Sequence, residues 1–143
     1  MKEERWKKEF ATYKKCLSTL KTALDYAGCK QDDPKLACLL SYGLMQAFVS
    51  AVHCAAAVMN EYMQSQGQGR NKSLKNIFSK ALKMGVISYR RWLEMDACLE
   101  AIYRLTDETE ALKFAKKIRQ IYLPMLERFA AVMELKGQPT LFG

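Results

Sequence analysis

Between Leu36 and Asn60 the chain runs for 25 residues without a formal charge. Such a run fits inside a bilayer, inside a protein core or under a partner, because a helix facing water carries charge on its outer side. Ser41, Gln46, Ser50, His53 and Asn60 interrupt it, and alanine rather than leucine fills its second half. Polar groups within lipid are costly, so the run is expected to be a helix of a soluble protein and not a span.

Helical spacing sorts this run into three seams. Leu40, Leu44, Ala47, Ala51, Ala55, Val58 and Tyr62 form one apolar seam, and Cys38, Tyr42, Met45, Val49, Val52, Ala56 and Met59 form a second. Gly43, Gln46, Ser50, His53, Ala57 and Asn60 form a third that is small, polar and uncharged. Either the helix is central and its own bundle covers all three, or one seam is covered by a second subunit. Small residues and uncharged amides suit a two-fold contact, in which a patch meets its own copy. Gln46, Ser50, His53 and Asn60 are therefore the candidate dimer or groove seam, and a homodimer is expected.

The rest of the chain also follows helical period. Trp6, Phe10, Tyr13, Leu17, Leu20 and Leu24 are spaced 4-3-4-3-4, one stripe on a first helix that Gly28 is expected to end. Asp33 and Pro34 open helix two, which runs to about Gln64. A flexible loop over 65–71 follows. Ser73 caps a third helix carrying Leu74, Ile77, Phe78, Ala81 and Leu82, and Gly85 closes it. Ser88 starts a fourth with Trp92, Met95, Leu99 and Ile102 on one side. Thr106 or Asp107 starts a fifth, with a possible capping box from Asp107 to Glu110 and a stripe of Leu112, Ala115, Ile118, Tyr122, Met125, Phe129 and Val132. Pro124 should kink or divide that helix. With no β signal and no repeat, the expected fold is all-α. It is an antiparallel up-and-down bundle of four to five helices, one domain over 1–143 with a frayed tail from about 137.

Charge is unevenly placed. The net charge is +8. Seven bases and no acid lie between Tyr62 and Leu93: Arg70, Lys72, Lys75, Lys80, Lys83, Arg90 and Arg91. Six acids and one base, Arg104, follow between Glu94 and Glu110. The basic segment is a candidate for phosphate or partner binding, giving weak, salt-sensitive nucleotide or RNA contact, against the plainer reading of a solvated face.

Catalytic chemistry finds no footing. His53, the single histidine, adjoins Cys54, and neighbouring side chains on a helix diverge by about 100°. No glycine-rich phosphate loop is present, since Gly67-Gln68-Gly69-Arg70 lacks the pattern. The five cysteines, Cys16, Cys29, Cys38, Cys54 and Cys98, lack the close pairing of a zinc site and read as free thiols of a reducing cytoplasm. Glu94, Asp96 and Glu100 read as a solvated acidic face. No metal and no cofactor is expected.

Arg5-Trp6 with Phe10, Glu61-Tyr62, Ser73, the segment Ala81 to Ile87, Trp92 to Met95, Asp107 to Thr109 and Tyr122 to Leu126 occur in a telling order and spacing. By them the chain resembles the nucleotidyltransferase substrate-binding proteins, helical subunits of the HEPN superfamily that accompany minimal nucleotidyltransferases. The resemblance implies a dimerising helical bundle and a nucleotidyltransferase partner, usually encoded next door. Some HEPN relatives are RNA-cleaving toxins that the partner neutralises by adenylylating a tyrosine. The Arg-Asn…His motif of that superfamily falls here on Leu99, Glu100 and Arg104, and the tyrosine beyond it near Thr106, with Tyr103 close by. The acidic and tryptophan-bearing stretch of helix two reads Val49, His53 and Ala56. A leucine and an arginine do not hold phosphate and polarise a 2′-hydroxyl. The expectation is a diverged, non-catalytic subunit, with a toxin–antitoxin-type pair as one setting for it; the alternatives are a HEPN-type RNase and a stand-alone helical interaction protein.

Overall fold

A computed structural model describes residues 2–27, 32–105 and 108–138. Helix α1 spans Lys2–Ala27, α2 Pro34–Ser65 and α3 Leu74–Lys83; a 3-10 turn, Arg90–Glu94, leads into α4, Met95–Tyr103. Then α5, Glu108–Lys117, passes through a π turn, Ile118–Tyr122, into α6, Leu123–Gly137. Among the described residues there is no strand.

Side-chain pairs fix the directions. Trp6 meets Tyr62 edge-on at 5.4 Å and Cys16 Sγ lies 3.0 Å from Cys54 Sγ, so α1 and α2 are antiparallel. The Tyr13 hydroxyl donates to the Leu126 carbonyl at 2.6 Å, Lys21 pairs with Glu127 at 3.1 Å, and Arg119 donates to the Leu24 carbonyl at 2.8 Å. These contacts run α1 antiparallel to α5–α6. The segment of the 3-10 turn and α4 runs antiparallel to α5–α6 in turn, with Trp92 on Phe129 at 5.8 Å and Cys98 Sγ 3.0 Å from the Tyr122 hydroxyl. The result is an up-and-down bundle of four strokes, with short α3 laid beside it through Phe78 on Trp92 at 5.2 Å.

Local chemistry explains the element ends. The Asp33 carboxylate accepts from the Lys35 amide at 3.0 Å with Pro34 at the first turn of α2, and Ser73 Oγ accepts from the Asn76 amide at 3.2 Å. Gly85, at φ +74, closes α3 in a Schellman turn in which the Val86 amide reaches the Ala81 carbonyl at 2.9 Å. Gly67, at φ +86, ends α2 the same way, with the Gln68 amide on the Met63 carbonyl at 3.0 Å. Pro124 divides the last helix as expected. It has no amide to donate, and the chain absorbs the defect as a π turn in which the Leu123 amide reaches back five residues to Ile118.

The stripe of α1 is wholly buried, as are Trp92, Met95, Leu99 and Ile102. Four expectations need correction. The fourth helix does not start at Ser88: a 3-10 turn intervenes, and Tyr89 stands before it without a side-chain cap. Cys38 and Tyr42 do not join the second seam of α2 and are exposed. Leu112 is 59% exposed, and Ala111 takes its core place. At the end of the last stripe Met133, about 40° around the helix from Phe129, is fully buried, while Val132, about 60° away on the other side, is only partly so. The expectations for Gly28, Cys29, Thr106, Asp107 and the tail beyond 138 lie outside the described residues.

Candidate functional site

Thirteen of the 32 residues of α2 are buried: ten on the two apolar seams, and Phe48, Asn60 and Met63 besides. By length and hydropathy α2 passes as a membrane span, with 39% of its apolar window buried inside the bundle. Of the third seam, Gly43, Gln46, Ser50 and His53 stay outside, while Ala57 is half-buried and Asn60 is buried. At 100° per residue Leu36, Leu39, Tyr42, Gly43, Gln46, Ser50 and His53 fall within an arc of about 120°, and all are exposed. Leu39 is 67% and Tyr42 66% exposed. This uncharged strip is about 26 Å long at 1.5 Å per residue.

Beside the strip, α1 contributes Thr12, Lys15, Cys16 and Thr19, which with Gly43, Gln46, Ala47 and Ser50 enclose a groove of about 400 Å³. Nothing lies within 4 Å of where a Gly43 side chain would start, so the groove floor is open there. Lys15 is the single charge in the lining. Small side chains on both helices leave room for another surface to approach closely.

Asn60 is not part of this strip. It is 5% exposed, and its amide clamps the loop after α2: Nδ2 donates to the Asn71 carbonyl and Oδ1 accepts from the Asn71 amide, both at 3.1 Å. The residue anchors the backbone where the chain turns toward α3. Gln46, Ser50 and His53 do lie together on the exposed face.

The seven bases do not converge on one point. Arg70 pairs with Glu61 at 3.4 Å, and Arg91 lies 4.0 Å from Glu94. Lys75 and Lys80 diverge by about 140° around α3, with Lys80 half-buried. Lys72 lies in the preceding loop, and Lys83 in the last turn of α3. Arg90 and Arg91 stand on the 3-10 turn. Of the seven, Arg91 alone lines a groove described among these residues, together with Gln120 and Arg128 of the last helix. Gln120 and Arg128 escaped the sequence reading, since no local motif marks them.

Two shielded groups near the helix contacts, Cys54 and Tyr122, are poor nucleophiles. His53 is exposed. Burial, then the hydrogen bond to Cys16, pushes the Cys54 thiol up to about 12. Burial also raises Tyr122, with the Cys98 contact adding to it. Leu99 is 3% exposed and packed in the core, whereas Glu100, Tyr103 and Arg104 are exposed. No three His, Cys, Asp or Glu side chains among the described residues are grouped to hold a metal, Glu94, Asp96 and Glu100 included.

Comparison with known proteins then adds one positive match. The family model described as "Nucleotidyltransferase substrate binding protein like" matches residues 8–135, most of the chain. No curated protein matches the chain.

Proposed function

The chain belongs to the nucleotidyltransferase substrate binding protein like family, and from that we propose that it is a non-catalytic, substrate-binding subunit that works with a separate minimal nucleotidyltransferase. The observation that carries the proposal is the uncharged, exposed face of α2. A lone soluble helix would carry charge there. A face some 26 Å long without charge suits a surface that spends its life covered. A two-fold contact through Gln46, Ser50 and His53 makes the homodimer, and Leu36, Leu39 and Tyr42 extend the covered strip.

The non-catalytic reading rests on Leu99. On the HEPN resemblance, the position that would hold phosphate is given to core packing, and Arg104 stands where a base is needed. That placement supports the non-catalytic reading over the RNase one. Pairing with the transferase as a toxin–antitoxin-type system would have to use another chemistry of the pair. The bases Arg70, Lys72, Lys75, Lys80, Lys83, Arg90 and Arg91 act in this reading as a diffuse positive field that steers a phosphate-bearing ligand or acidic partner, weakening as salt rises.

Co-expression with a minimal nucleotidyltransferase from the same genome tests the proposal. The two chains should purify together, and the pair should leave total RNA uncut. Separation of the two at micromolar concentration, or RNA cleavage abolished by a point change in this chain, would refute it.

A further inference from the structure

The 3-10 turn meets the last helix at a groove of about 300 Å³ that shares no residue with the α2 strip. Tyr89, Arg91, Gln120, Ile121, Pro124, Met125 and Arg128 line it. Two guanidiniums and one amide supply hydrogen-bond donors; Ile121, Pro124, Met125 and the Tyr89 ring supply an apolar wall. No carboxylate is in the lining.

The donors come from separate parts of the chain, and one of them, Arg128, is held in place. Arg128 lies over the Tyr89 ring, 5.1 Å from its centre, and its Nη1 donates to the Tyr89 hydroxyl. That pair joins the turn to α6 and sets the guanidinium at the groove edge. Glu127, next to Arg128, is turned to α1 and paired with Lys21 at 3.1 Å, so it does not neutralise Arg128. Arg91 has Glu94 at 4.0 Å, a long pair whose members are both more than half exposed, and such a pair yields readily to a better anion. The π turn over Ile118–Tyr122 places Gln120 and Ile121 in the lining one residue out of ordinary helical register.

We infer that this groove binds a small phosphomonoester, with Arg91 and Arg128 on the phosphate and the wall of Tyr89, Ile121, Pro124 and Met125 against a flat organic body, as in a mononucleotide. Guanidinium forks match phosphate oxygens in a bidentate way that lysines do not. A groove with a few convergent polar groups on an apolar wall is the ordinary form of a small-ligand site. The inference is independent of the nucleotidyltransferase pairing and of the α2 face, so failure of either leaves it standing.

Titration of the 15N-labelled protein with AMP, ribose 5-phosphate and adenosine tests it. AMP should give saturable amide shifts at Tyr89, Arg91, Gln120, Ile121 and Arg128, with adenosine and ribose 5-phosphate each binding at least tenfold more weakly. Arg91→Gln, at an exposed position, should weaken AMP at least tenfold. Arg128→Lys, which keeps the charge and loses the fork, should do so too. A Lys75→Gln, Lys83→Gln control should bind as the parent does. Adenosine or ribose 5-phosphate binding as tightly as AMP, shifts centred on α3, or Arg91→Gln binding as the parent does would each overturn it.

Discussion

Replacing Asn60 by alanine removes two hydrogen bonds that fasten the turn after α2. Both are 3.1 Å and both go to the backbone of Asn71, on a residue only 5% exposed. Each bond contributes about 1 kcal/mol net, and stranding a buried partner costs about 1–3 kcal/mol more. Asn71 is half-buried, so water reaches part of what is freed. The sum is a loss of about 2–4 kcal/mol, which at this size lowers Tm by roughly 6–12 °C. The reciprocal change behaves differently. Asn71 Nδ2 is buried with no hydrogen-bond partner among the described residues. Asn71→Ala deletes an unsatisfied group and keeps the backbone that Asn60 grips, so it should cost under about 1 kcal/mol. Urea unfolding of both variants, followed by circular dichroism, reads the difference. An Asn60→Ala loss below about 1 kcal/mol, or equal losses for the two, would refute the clamp.

Two further outcomes follow from buried groups. Leu99→Arg sets a charge where a leucine is 3% exposed, and should cost more than about 3 kcal/mol without creating RNA cleavage; a stable, RNA-cutting variant would contradict the packing role. The Cys54 thiol, pushed up to about 12 by burial and by Cys16, stays protonated in the fold above the pH at which an unfolded thiol ionises. Folding therefore binds more protons than unfolding between about pH 9 and 12, and the thiol's contribution, full below pH 9, fades across that window. Iodoacetamide at neutral pH should label exposed Cys38 and spare Cys54; equal rates would contradict this.

Much of the fold was legible because helical period, caps and breakers are local. The α1 stripe, the caps at Asp33 and Ser73, Gly85 and the division at Pro124 all follow from residues within one or two turns. The misplacements of Cys38, Tyr42 and Asn60 share a cause. Period tells which face a residue is on, not how far along the axis its neighbours reach. Cys38 and Tyr42 lie on a suitable face of α2, but near its start, where cover is thin. Asn60 shared a seam with Gln46 and His53 by spacing, while its burial depends on a loop returning eleven residues later. The Tyr89–Arg128 pair joins residues 39 apart and has no sequence signature at all.

The most direct test of the account is the mass of the protein alone in solution, by light scattering after size exclusion. Covering the uncharged face of α2 with a second copy predicts twice the 16.4 kDa chain mass at micromolar concentration. A Gln46→Glu, Ser50→Glu variant sets like charges against each other across the two-fold contact. It should return to the single-chain mass with its helical circular dichroism unchanged, because both positions are exposed. A parent protein of 16.4 kDa at every micromolar concentration, or a variant that keeps the double mass, would contradict it.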